Sequence, residues 1–271
     1  MTGALETLQR WLELTHFADG AVLLVGMIAV TLVGLSKGGL GGAFALLGVP
    51  LMALVMPPLQ AAAVFLPILL IMDGVGLWTW RGYCNWRVLR TLLPGALVGT
   101  VIGWWAAAVT SDSLVRLLVG LIAVAFVARI AVAALRAAPP RQARPDWWVG
   151  SFWGSVSGFT SFVAHAGNPP LQVYTLPLRL DPWTFTGTSV VFFAIVNFAK
   201  VVPYAALGLL DAATFWSALL MLPLAAGSVL LGAAVVRRMR MQVFYPFMYA
   251  MVAVVGGKLI WDGMIGLVGI G

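Results

Sequence analysis

Apolar runs of about 17 to 25 residues, almost free of charge, recur from near Gly20 to the end of the chain, and they decide what it can fold into. At about 1.5 Å of helix per residue, such a run matches the ~30 Å hydrocarbon core of a bilayer. The chain is 62% hydrophobic and 9% charged with a mean hydropathy of +1.00, whereas soluble domains carry roughly 25% charged residues. A soluble globule is excluded. Because backbone polar groups have no water partner in lipid, the expected fold class is an all-α integral membrane protein.

Hydropathy and Pro/Gly breaks predict full spans near 59–78, 90–109, 113–136, 184–205, 211–236 and 243–262. Two apolar regions break this pattern. Residues 20–57 are interrupted by SKGGLGG at 36–42, and residues 147–180 by SFVAHAGNPP at 161–170. Each half is about 14 residues, or ~21 Å of helix, too short to cross. Re-entrant half-helix hairpins are the reading that fits; eight simple transmembrane helices are the alternative.

Charge placement favours the hairpins. With them, Arg81, Arg87, Arg90, Arg136, Arg141, Arg144, Arg179, Arg237, Arg238 and Arg240 share one face, leaving Arg10, Arg116 and Lys258 on the other. With simple crossings the same residues divide eight to five. Short cytoplasmic loops collect Lys and Arg, so the formal charge of +7 reads as topology, with both termini outside, and not as a nucleic-acid surface.

The chain also repeats at a spacing near 124 residues: Gly34-Leu35-Ser36 recurs as Gly158-Phe159-Thr160, Pro58 as Pro182 and Asp73 as Asn197. Each unit is then one hairpin plus three crossings, and an odd number of crossings inverts the second copy against the first. The expected organisation is an interfacial N-terminal helix in 1–19, with Leu5, Leu8, Trp11 and Leu12 on one stripe, a first repeat over 20–136, a Pro-rich cytoplasmic linker over 137–146 and a second repeat over 147–271. The opening residues lack a basic n-region and an early apolar core, so the N-terminus is expected to be retained.

The two breaks hold the chemistry. Ser36, Lys37, Gly38, Gly39, Gly41 and Gly42 form a segment that turns sharply and lets backbone approach a ligand, with the amides of the following half-helix aimed at the apex. The second break supplies Thr160, Ser161, His165, Gly167 and Asn168 ahead of a proline-initiated helix. All three lysines, Lys37, Lys200 and Lys258, lie in apolar segments, where an ammonium costs ~2.5 to 3.5 kcal/mol without a partner or cavity. Asp73 is a lone carboxylate that either pairs with a lysine or titrates. Asp73, Asn197 and Lys200 are the candidates for coupling or gating, and Lys200 shares a stripe with Asn197, Tyr204, Thr186 and Ser189.

Each of these has a plainer reading. Gly95, Gly99 and Gly103 fit close helix packing better than ligand binding. Lys258 and Asp262 form an i,i+4 pair near a helix end. His165 is a proton relay or a hydrogen-bonded structural imidazole. Trp78, Trp80, Trp86, Trp104, Trp105, Trp147 and Trp148 fall near span ends, as interfacial belts do. With Cys84 as the single cysteine and no metal spacing or catalytic constellation, neither a cofactor, a metal nor an enzyme is expected.

VGLSKGGLGGAFALLGVPLMAL at 33–54, GFTSFVAHAGNPPLQVYTLP at 158–177, NFAK at 197–200 and GGKLIWDG at 256–263 together resemble the TauE/SafE family of membrane permeases. The resemblance covers nearly the whole chain and implies movement of sulfite, thiosulfate or organosulfonates across the bacterial inner membrane. By position, the family's first Gly-rich motif falls on Gly38, Gly39, Gly41 and Gly42, while Asn168 departs from the glycine expected in the second. The expectation is a secondary transporter working by alternating access around one midplane anion site. A channel or a permease for a non-sulfur organic anion stands as the alternative, with proton coupling and a homodimer left open.

Overall fold

The computed structural model describes residues 12–40, 44–106, 111–135, 142–163, 165–206 and 208–268, and among them every regular element is helical. In chain order these are α1 (Gly20–Leu35), α2 (Gly48–Met52), α3 (Pro58–Thr79), α4 (Trp86–Ala106), α5 (Asp112–Leu135), α6 (Trp147–Val163), α7 (Asn168–Thr175), α8 (Pro182–Ala206), α9 (Ala212–Arg237) and α10 (Met241–Val268). A wide π turn over Ser36–Leu40 continues α1, and short 3₁₀ turns occupy Ala45–Leu47 and Leu176–Leu178.

Much of the scarce polar sequence outside the breaks starts these helices. Asp19 accepts the amides of Ala21 at 2.7 Å and Val22 at 3.3 Å, Asp146 that of Val149 at 2.9 Å, Asp181 that of Thr184 at 3.0 Å, and Asp211 that of Thr214 at 2.7 Å. Each satisfies a first-turn N–H that has no helical partner.

Among the described residues seven helices are long and apolar enough to cross a bilayer: Gly20–Leu40, Gln60–Thr79, Trp86–Ala106, Ser113–Leu135, Pro182–Ala206, Ala212–Arg237 and Met241–Val268. The six predicted full spans are all among them. The seventh is the first arm: α1 runs 16 residues to Leu35, against about 14 expected, and counts as 21 only with the wide turn to Leu40, which is kinked at Gly39. The arms of the second break are 17 and 8 residues, α6 and α7.

Contacts fix the relative directions. Gly34 of α1 and Gly38 of the turn that continues it meet Ser228 and Gly232 of α9, and Gly95 and Gly99 of α4 meet Ser151 and Ser155 of α6, so both pairs run parallel. Against this, α3 and α8 run antiparallel through Asp73–Asn197 and Gly76–Val190, as do α5 and α10 through Gly120–Ile260 and Gly263–Leu117. The start of α3 lies beside that of α1, since Gln60 Nε2 is 2.8 Å from His16 Nδ1 just ahead of Gly20. The end of the second break likewise returns to the start of α6: Ala143 N–H donates to the Pro177 carbonyl at 3.0 Å and Gln142 Nε2 to that of Leu178 at 3.1 Å.

Close packing explains many glycines. A Cβ on Gly95 would stand 1.8 Å from the Ser151 carbonyl oxygen, on Gly99 2.0 Å from that of Ser155 and on Gly158 2.1 Å from that of Ala96. Backbone therefore touches backbone along α4 and α6, the arrangement that small-residue rows permit where apolar lipid gives no hydrophobic drive to associate. Outward-facing Leu24, Val98, Leu118, Phe152, Phe198, Leu231 and Val254 present an apolar surface.

Arg81, Arg87, Arg90, Arg144, Arg179, Arg237, Arg238 and Arg240 gather at one end of the bundle, where α3 and α9 finish and α4, α6, α8 and α10 begin. Arg116 and Lys258 lie toward the other. Of the expected interfacial helix, residues 4–11 lie outside the described residues, and from Leu14 the chain turns inward to bury Phe17 completely against Gly26. Trp78, Trp86, Trp105, Trp147 and Trp148 are exposed near helix ends as expected. Trp80 is not: it is 2% exposed with the Arg237 guanidinium 5.3 Å from its ring centroid, because α9 covers that side of α3.

Candidate functional site

The two broken segments meet α3 and α8 around a cavity of about 100 Å³. That is several times the ~10 to 15 Å³ a single water needs on the same measure. Of the residues expected to bind substrate, Ser36, Lys37, Gly39, Ser161, His165, Gly167 and Asn168 line it, and so do Asp73, Asn197 and Lys200. Gly38 does not; it faces α9, where a Cβ would stand 2.4 Å from the Val229 carbonyl oxygen. Thr160 does not either, because its hydroxyl donates into the α6 terminus, 2.8 Å from the Val156 carbonyl and 3.2 Å from that of Ala166. Gly41 and Gly42 lie outside the described residues.

The wide turn sets Lys37 toward α3, where its ammonium donates to Asp73 Oδ1. Asp73 Oδ2 accepts from Asn197 Nδ2 at 2.7 Å, so one carboxylate joins the first break to α8. Asp73 is thus ion-paired with Lys37 in this structure. Gly39 has φ +127°, a conformation that only glycine adopts cheaply, and a Cβ there would also stand 2.7 Å from Thr186 Cγ2.

On the other side, Lys200 is 2% exposed and donates to the Ser161 carbonyl at 2.7 Å and Ser161 Oγ at 2.8 Å. Its third N–H has no acceptor among the described residues. The loop that carries His165 is held by Ser157 Oγ donating to the Gly167 carbonyl at 2.6 Å and by Ala166 N–H donating to the Thr160 carbonyl at 3.0 Å. His165 itself takes a left-handed φ of 50°, and its side chain also borders a smaller cavity shared with Arg116, Lys258 and Asp262. Lys258 Nζ and Asp262 Oδ2 are 2.5 Å apart, the local pair expected from their spacing.

The electrostatic balance is uneven. Around the central cavity stand two ammonium groups and one carboxylate, and that carboxylate is engaged by Lys37 and Asn197. Among the described residues Lys200 has only neutral oxygens for partners, so with both lysines protonated the lysine and carboxylate charges lining the cavity sum to one positive charge. Neutral donors surround the charge: Asn168 and, one turn further along α7, Gln172, with Thr186 and Ser189 on α8. Thr186 Oγ1 is buried without a hydrogen-bond partner among the described residues.

Backbone amides contribute less than expected at the second break. Pro169 and Pro170 at the start of α7 have no N–H, and the Leu171 N–H is already bound to the Gly167 carbonyl at 3.3 Å. The side chains of Asn168 and Gln172 supply donors in their place. Gln172 and Phe193 are among the lining residues that sequence reasoning missed, although Gln172 sits at i+4 from Asn168 and Phe193 continues the Ser189, Asn197, Lys200 stripe.

The model of the family described as Sulfite exporter TauE/SafE matches residues 26–259, nearly the whole chain. The chain belongs to the sulfite exporter TauE/SafE family. It is accordingly a multi-pass membrane protein of a transporter family, and the cavity between its two breaks lies wholly within the matched region. No curated protein and no solved structure matches it.

Proposed function

We propose that this member of the family is a secondary carrier for a small sulfur-containing oxyanion, sulfite, thiosulfate or an organosulfonate, across the bacterial inner membrane. The observation that carries this reading is Lys200, a buried ammonium on the central cavity with no carboxylate partner among the described residues. A bound anion would take its free donor and balance its charge, with Asn168, Gln172 and Thr186 completing the oxygen contacts.

Alternating access is the mechanism we infer. The two copies, spaced about 124 residues apart, correspond as α1 to α6, α3 to α8, α4 to α9 and α5 to α10, and the antiparallel course of α3 against α8 and of α5 against α10 supports an inverted repeat. Both breaks return toward the end from which they started, which supports re-entrant hairpins whose tips face each other across the cavity. Exchange of shape between the copies would open the cavity to each side in turn.

Counterflow in proteoliposomes tests the proposal: preloaded sulfite should accelerate uptake of labelled sulfite and saturate. Flux that rises linearly with concentration and gains nothing from preloading would identify a channel. Proton coupling through His165 is part of the same reading, and rates unchanged by an imposed pH gradient would remove it.

A further inference from the structure

A second cavity of about 240 Å³ lies away from the central one, between the end of α3 and the end of α9, and the two share no lining residue. Its walls are Leu230, Ala233 and Ala234, and its basic end is formed by Arg81 and Arg237. The Arg237 guanidinium donates to the Thr79 carbonyl at 2.5 Å, closing the last turn of α3, and retains four of its five N–H donors. The Arg81 guanidinium stands 5.5 Å from the centroid of the Trp78 ring, and Trp78 is 62% exposed. Neither arginine has a carboxylate partner among the described residues.

This is an apolar groove on the outer surface of the bundle, capped by two cationic forks and flanked by a tryptophan at the depth where the apolar helix ends. It opens where Leu230 is 42% exposed, toward the surroundings that the other lipid-facing side chains see. A solute matching both parts has a phosphate for the arginines and a hydrocarbon tail for the wall. Guanidinium forks fit phosphate in two-point hydrogen bonds, and basic pockets between helices at the arginine-rich face suit anionic headgroups.

We propose that this groove holds one anionic phospholipid, its phosphate between Arg81 and Arg237 and an acyl chain along Leu230 and Ala234. The lipid would clamp the end of α3, which carries Asp73, to the end of α9, which packs on the wide turn at Gly38.

The test is native mass spectrometry of the full chain released from nanodiscs of phosphatidylglycerol and phosphatidylcholine in equal amounts. One phosphatidylglycerol per chain is expected to survive preferentially, and Arg81→Gln/Arg237→Gln should retain it about tenfold less. Arg144→Gln, a basic residue at the same end outside the groove, should retain it as the parent does. Because Arg237 also closes α3, Arg81→Gln alone and Ala234→Trp, which fills the apolar wall and leaves both arginines, provide variants that spare the helix cap; each should lower retention. Equal retention of the two lipids, or undiminished retention by Arg81→Gln and Ala234→Trp, overturns the proposal. So does protection against heat by inorganic phosphate equal to that by phosphatidylglycerol, which would make the groove a free-anion site.

Discussion

Lys200→Met keeps the length and apolar stem of the side chain and deletes its charge. An anion in the cavity about 4 Å from the Lys200 ammonium gains roughly 4 kcal/mol from it at an effective dielectric constant near 20. Its removal should therefore weaken binding by about 10³-fold, since each 1.4 kcal/mol is worth about a factor of ten. The fold should feel it much less. Two hydrogen bonds to Ser161 are lost, but so is the desolvation cost of a fully buried ammonium, and the two offset to within about 2 kcal/mol. Isothermal titration of purified chain with sulfite, paired with a melting curve in the same detergent, measures both. A variant that melts within a few degrees of the parent and binds sulfite within threefold of it would refute the electrostatic reasoning.

Asp73→Asn strips Lys37 of its carboxylate and should destabilise the chain by about 3 to 5 kcal/mol, while Lys37→Met/Asp73→Asn should recover more than half of that in denaturant midpoints. Gly99→Ala drives a Cβ against the Ser155 carbonyl and should cost about 1 to 3 kcal/mol by thermal melting, whereas Gly257→Ala, with open space around it, should be neutral. Gly39→Ala puts a side chain at φ +127° and should lower sulfite flux at least tenfold, on a backbone strain of about 1 to 3 kcal/mol, with the protein still present in membranes at the parent level. In the turn between α3 and α4, burial pushes the Cys84 thiol above its ordinary value of 9.0, against a smaller opposing hydrogen bond from Thr188. Less thiolate is then present at any given pH, so maleimide labelling should keep accelerating above pH 9.0, and a plateau below that value would contradict it.

The helices were legible because a bilayer imposes a length on every apolar run, and so were the two breaks, since Gly, Pro and polar side chains are costly there without a role. The stripe Thr186, Ser189, Asn197 and Lys200 was legible too, by its spacing of three and four, and it does line the cavity. Partner choice was not. Nothing in the local pattern says that Lys37 meets Asp73 while Lys200 meets Ser161, because both contacts come from packing between distant helices. The same limit explains Trp80: closeness to a span end fixes its depth, but α9 decides whether the ring meets lipid or protein. At Gly38 and Thr160 the right segment was chosen, and helix packing and local hydrogen bonding claimed those residues in place of the cavity.

In the inverted repeat proposed above, Asp73 and Asn197 hold matching places, and they touch each other, as residues beside a two-fold axis would. Two separate, identical half-chains would have to present like to like there: a pair of carboxylates repelling each other, or a pair of amides with no charge to hold an ammonium. Joining the halves into a single polypeptide releases that constraint. One position can stay acidic while its counterpart turns neutral, and a lone negative charge at the centre can then receive an amide from one half and a cation from the other.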